Sequence, residues 1–69
     1  MQRTPVDSTS IASVGYDPRA HALEIEFRTG RVYRYSDVPA AAYRLLLQAP
    51  SLGEFVNKQI KPRFTAVEV

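Results

Sequence analysis

The stretch from Leu23 to Tyr35 constrains this chain more than any other. Leu23, Ile25 and Phe27 alternate with Glu24 and Glu26, Arg28-Thr29-Gly30 breaks the alternation, and Arg31-Val32-Tyr33-Arg34-Tyr35 resumes it. Period-two patterning on both sides of a glycine-containing break is the signature of a β-hairpin. Two loops compete. With Thr29-Gly30 as a two-residue loop, Phe27 faces Val32 and Ile25 faces Arg34, which puts an arginine into the apolar row. With Arg28-Thr29-Gly30 as a three-residue loop and Gly30 in the left-handed position of a G1 bulge, Phe27 faces Arg31, Ile25 faces Tyr33 and Leu23 faces Tyr35. This register gathers the large apolar groups on one face and pairs Glu24 with Arg34 on the other. A slip of one residue would turn a whole strand inside out, so the bulged loop and a positive φ at Gly30 are the expectation.

The remaining segments arrange themselves around that hairpin. Ile11 to Tyr16 is β-tolerant and ends at the turn signal Asp17-Pro18, which gives a strand before the hairpin. Ser36-Asp37-Val38-Pro39 offers capping side chains and then a proline suited to a first helical turn. Ala42, Tyr43, Leu46 and Leu47 follow on one helical stripe, with Arg44 on the flank, and Pro50 ends the helix. Ser51-Leu52-Gly53-Glu54 reads as a capping box for a second helix that turns Leu52, Phe55, Val56 and Ile60 inward, until Pro62 breaks it. Residues 1–7 and 65–69 read as flexible or weakly ordered termini, although Arg63 to Val69 also suits a last short strand. The expected fold is α+β: a three-stranded antiparallel sheet, hairpin at residues 22 to 36, with two helices near 38 to 49 and 51 to 61 packed on one face.

Size and composition exclude most chemistry. Sixty-nine residues make one domain with no room for a cleft between two. The absence of cysteine excludes a disulfide framework, an iron–sulfur cluster and a thiolate nucleophile. Nine basic and seven acidic side chains leave a net charge of +2, and seven of the nine are arginine, the type that grips phosphate bidentately. No apolar run spans a membrane and Met1 to Asp7 lacks the apolar core of a signal peptide. A small cytoplasmic protein is the expectation.

At this point the residues resemble a known family. Ser10-Ile11 with Val14-Gly15-Tyr16-Asp17, then Leu23-x-Ile25-x-Phe27-x-x-Gly30-x-x-Tyr33-Arg34-Tyr35, then Asp37-Val38-Pro39 with Tyr43 and Leu46, and finally Ser51-x-Gly53-x-Phe55-Val56-Asn57-x-x-Ile60 are similar to the KTSC domain. The resemblance runs over about residues 8 to 64. The family is named for its occurrence at the C-terminus of some lysyl-tRNA synthetases and also occurs as free-standing small bacterial proteins. Through that attachment the resemblance implies an RNA or other nucleic-acid partner.

Candidate site residues follow from charge and aromatic placement. Tyr33 and Tyr35 suit a stacking platform for unpaired bases with Arg31 and Arg34 supplying phosphate contacts, but in the bulged register the tyrosines share the face on which the helices pack, and the core reading is the stronger of the two. Glu24 and Glu26 read as a solvated face, neighboured by Arg34 and Arg28, rather than as a catalytic pair. His21 is the only histidine and composes neither a triad nor a metal site. Arg44, Lys58, Lys61 and Arg63 form the basic cluster open to phosphate, though cations at a helix C-terminus also suit the macrodipole. The reading is a non-enzymatic binding domain without cofactor or metal, using Arg31, Tyr33, Tyr35, Arg44, Lys58, Lys61 and Arg63 toward RNA. The alternative is a protein–protein interaction module, such as a small regulator or inhibitor docking on a larger assembly.

Overall fold

A computed structural model describes residues 1–69, the whole chain. Seven elements follow one another: β1 (Thr4–Pro5), β2 (Ile11–Asp17), β3 (Ala22–Phe27), β4 (Val32–Tyr35), α1 (Ala40–Gln48), α2 (Leu52–Phe55, continued by a π-turn at Val56–Ile60) and β5 (Ala66–Glu68). The strands form one antiparallel sheet in the order β1-β2-β3-β4-β5, so each pairs only with its neighbours in sequence.

The hairpin has the bulged register. Leu23 faces Tyr35, Glu24 faces Arg34 and Ile25 faces Tyr33. The amides of Phe27 and Gly30 donate to the carbonyls of Arg31 and Phe27, both at 2.9 Å, and Gly30 has φ 96°. β2 carries a bulge between Ile11 and Ser13, which keeps Ile11 and Val14 on the same side as Phe27 and Ile25.

The sheet has five strands where three were expected; the C-terminal addition is the short last strand that Arg63 to Val69 suited, and the N-terminal one was not foreseen. β1 lies along β2, with Thr4 opposite Val14 and Pro5 opposite Ser13. β5 lies along β4, with Ala66 opposite Tyr35 and Glu68 opposite Tyr33. Proline is tolerated in β1 because an edge strand needs only half of its backbone groups paired.

The helix starts also depart from expectation. α1 begins at Ala40 with Pro39 as its N-cap and no side-chain cap. Asp37 is in the left-handed region at φ 59° and so turns the chain instead of capping it. Proline disfavours helical backbone in the residue before it. Val38 is accordingly outside the helix, fully buried, with its amide donating to the His21 carbonyl at 2.9 Å. α2 is capped as expected at one end of the box, Ser51 Oγ accepting from the Glu54 amide at 3.3 Å, but the Glu54 side chain pairs with Lys58 rather than reaching back.

The core is Ile11, Val14, Leu23, Ile25, Tyr35, Val38, Leu46, Val56 and Ile60, between the sheet and the two helices. Tyr16 stacks on Tyr43, ring centroids 5.0 Å apart, and its hydroxyl donates to the Val38 carbonyl at 2.6 Å. These contacts pin α1 to β2. No helix is long and apolar enough to cross a membrane.

Candidate nucleic-acid interface

The helices cover the sheet only in part. At the hairpin-loop end of the covered face an open groove of ≈ 730 Å³ remains, with Phe27, Tyr33, Tyr35, Phe64 and Ala66 as its apolar lining. Alternation in β3 and β4 sends Phe27, Tyr33 and Tyr35 to this face. β5 brings Ala66 opposite Tyr35. Phe27 and Tyr33 meet edge to face, centroids 5.9 Å apart and planes at 74°. Tyr35, 3% exposed, belongs to the core and forms the groove's base. Burial, and then the neighbouring Tyr33, pushes its hydroxyl pKa up, so it stays protonated at neutral pH.

Every charged residue lining the groove is a cation: Arg28, Arg31 and Lys61. Arg28 and Arg31 stand on either side of the hairpin loop. The oxygen of Tyr33, and then the charge of Glu68, hold the Arg31 guanidinium above its ordinary pKa. Arg28 donates from Nε to the Ser8 carbonyl at 3.1 Å and from Nη2 to the Val6 carbonyl at 3.5 Å. Lys61 reaches the groove because of the π-turn. In an uninterrupted α-helix from Leu52, position 61 would stand about half a turn round, toward solvent. The wider turn, closed by the Lys61 amide on the Val56 carbonyl at 2.8 Å, absorbs one extra residue and swings Lys61 back by about 100°. Its Nζ then sits 5.3 Å from the centroid of the Phe27 ring, a cation–π contact.

Of the seven residues singled out from the sequence, the groove gathers Arg31, Tyr33, Tyr35 and Lys61. Arg44 is exposed on α1, Lys58 is paired with Glu54 at 3.0 Å, and Arg63 is exposed in the turn after Ile60, all three outside the groove. Sequence reasoning missed Phe27, Arg28 and Phe64. The Arg28-x-x-Arg31 pair bracketing the loop was a usable signal. Phe64 was not legible, because its place is set by the turn after Ile60, where its amide donates to the Ile60 carbonyl at 3.0 Å.

The opposite face of the sheet is not the solvated surface expected of Glu24 and Glu26. Glu24 is 4% exposed, clasped by Arg3 Nη1 on one oxygen and by Arg34 Nη2 on the other at 2.9 Å. Burial raises its pKa, but the hydrogen bonds and charges of Arg34 and Arg3 together outweigh that and hold it below its ordinary value. Glu26 accepts from Ser13 Oγ at 2.8 Å instead of meeting Arg28. His21 is exposed in the β2–β3 turn at φ 53°, and no group of three acidic or histidine side chains is placed to hold a metal.

Comparison with known proteins agrees with the fold. The family model described as the KTSC domain matches residues 7–64. The chain is 44% identical over 63 residues to an uncharacterized protein of Stutzerimonas stutzeri, a match covering 91% of this chain and 89% of that one. It is 38% identical over 58 residues to a lysine–tRNA ligase of Nostoc punctiforme, covering 84% of this chain but 10% of the ligase. Among solved structures, the crystal structure of a KTSC domain protein from Yersinia pestis superposes with a TM-score of 0.95 at 41% identity, covering 99% of this chain and 96% of that one.

Proposed function

The chain belongs to the KTSC domain family, and from that premise we propose that it is a small non-enzymatic domain that binds single-stranded RNA in the groove between hairpin loop, β5 and π-turn. One observation carries this reading: the groove joins an aromatic floor of Phe27, Tyr33 and Phe64 to a rim whose charged groups, Arg28, Arg31 and Lys61, are all cations. Unpaired bases stack on exposed aromatic faces, and arginine and lysine hold the phosphates between them. The similarity to part of lysine–tRNA ligases supports the same ligand class.

Fluorescence anisotropy with a labelled single-stranded RNA octamer tests it. Three usable cations imply weak binding, with Kd of order 10⁻⁶–10⁻⁴ M at physiological salt, and a slope of log K against log salt of about −2. Lys61→Glu should abolish binding, whereas Lys58→Glu, altering a cation outside the groove, should leave it nearly unchanged. No binding by the unaltered protein at low salt would reject RNA as the ligand of the isolated domain and favour a protein partner.

A further inference from the structure

Arg28 is the only groove cation whose side chain is held by the backbone of another segment. Its Nε and Nη2 donate to the carbonyls of Ser8 and Val6. Those two hydrogen bonds occupy one edge of the guanidinium, and the Nη1–Nη2 edge is left for a bidentate anion. The carbonyls belong to the N-terminal segment, and that segment is fastened in turn. Arg3 donates to buried Glu24 and, through Nε, to Ser13 Oγ at 3.1 Å. The Val6 amide donates to the Ala12 carbonyl at 3.1 Å. The segment crosses β2 so closely that a Cβ on Gly15 would stand 2.6 Å from the Gln2 carbonyl oxygen, a backbone atom with no free rotation.

We infer that the N-terminal segment is a strap that aims Arg28 into the groove, and that Arg3 and Gly15, neither of which lines the groove, act as positioning residues for its anionic ligand. The chain of contacts runs from Glu24 to Arg3, along β1 to Val6 and Ser8, and across to Arg28. With the strap seated, the Arg28 guanidinium is pre-oriented and loses little freedom on meeting a phosphate. With the strap lifted, the same side chain is a mobile surface arginine. The coupling rests on the proposed RNA site for its ligand but not for its geometry.

Two variants act on the strap from opposite sides: Arg3→Ala removes its charge anchor, and Gly15→Ala pushes it away without touching a charge. The first readout needs no RNA. Hydrogen exchange at the Arg28 Nε–H, followed by NMR, should be slower than at exposed Arg19 in the unaltered protein and should rise to the Arg19 rate in both variants. The second readout is RNA anisotropy. Each variant should weaken binding by about threefold to fivefold and flatten the salt slope by about 0.7, one phosphate contact. Neither should weaken it further when combined with Arg28→Ala. Unchanged Arg28 exchange in both variants would overturn the inference. So would faster exchange with undiminished RNA affinity, or losses that add to that of Arg28→Ala. If the unaltered protein binds no RNA, the ligand assignment falls, while the exchange measurement still decides whether the strap holds Arg28.

Discussion

Glu24 shows how far a single side chain can depart from what its neighbours in sequence suggest. Its partner Arg34 was legible, because the hairpin register places the two directly opposite. Arg3 was not, since it lies 21 residues away, just before a strand of two residues with no hydrophobic pattern. With both arginines in place the carboxylate is buried, ionised and fully satisfied, and no buried side-chain polar atom in the molecule lacks a partner. Its pKa in the folded state lies below the ordinary 4.5. A carboxylate depressed in this way contributes stability above its unfolded pKa, and that contribution is lost as pH falls through the folded value. Urea denaturation should therefore give a stability that is level between pH 7 and about 5 and declines below about 4.5. Glu24→Gln should lower stability at pH 7 by about 1–3 kcal/mol, because one arginine then faces an NH2 that cannot accept its hydrogen bond and the other meets an uncharged oxygen. The same variant should show a shallower acid decline.

Among the elements, the β3–β4 hairpin was the most legible, because strict alternation and one glycine leave a single register that keeps arginine out of the apolar row. Gly30 is where that register is enforced. A Cβ there would meet nothing within 4 Å, so any cost of substitution is purely conformational. Gly30→Ala should cost about 1–2 kcal/mol, the strain of a side chain at positive φ, measurable as a lower urea midpoint with an unchanged slope. The second helix was legible in its inward residues but not in its ending. Leu52, Phe55, Val56 and Ile60 fit an ordinary helical stripe, and the slip of hydrogen bonding at Val56–Ile60 leaves no mark on that pattern. The start of α1 was misread for a physical reason already visible in Val38-Pro39: the proline constrains its predecessor, so the residues that look like caps make a turn instead.

At the level of the whole molecule, the α+β class and one-sided helix packing were legible, and the width of the sheet was not. Both edge strands are short and mostly exposed, so they are recruited by the finished sheet rather than by their own propensity. Removing residues 1–5 should leave the chain folded, with circular dichroism near that of the full protein, but it uncovers the β2 edge and takes Arg3 from Glu24. Unpaired strand edges invite association, so the truncated protein should elute from a sizing column with a concentration-dependent mass, whereas the full chain should not. A monomeric truncated form at all concentrations would show that β1 is not needed to protect that edge. The groove was half legible: its tyrosines, Arg31 and Lys61 could be found, but the gap between helices and sheet belongs to the assembled structure. The neighbour-to-neighbour strand order also has a consequence for synthesis. A ribosome extends a chain at roughly 5–20 residues per second, and here each emerging strand finds its partner already outside the exit tunnel. β5 comes last and brings Ala66 to the groove. Sheet pairing can thus follow the order of synthesis, and the groove, which needs Ala66 of β5, is the last part of the fold to form.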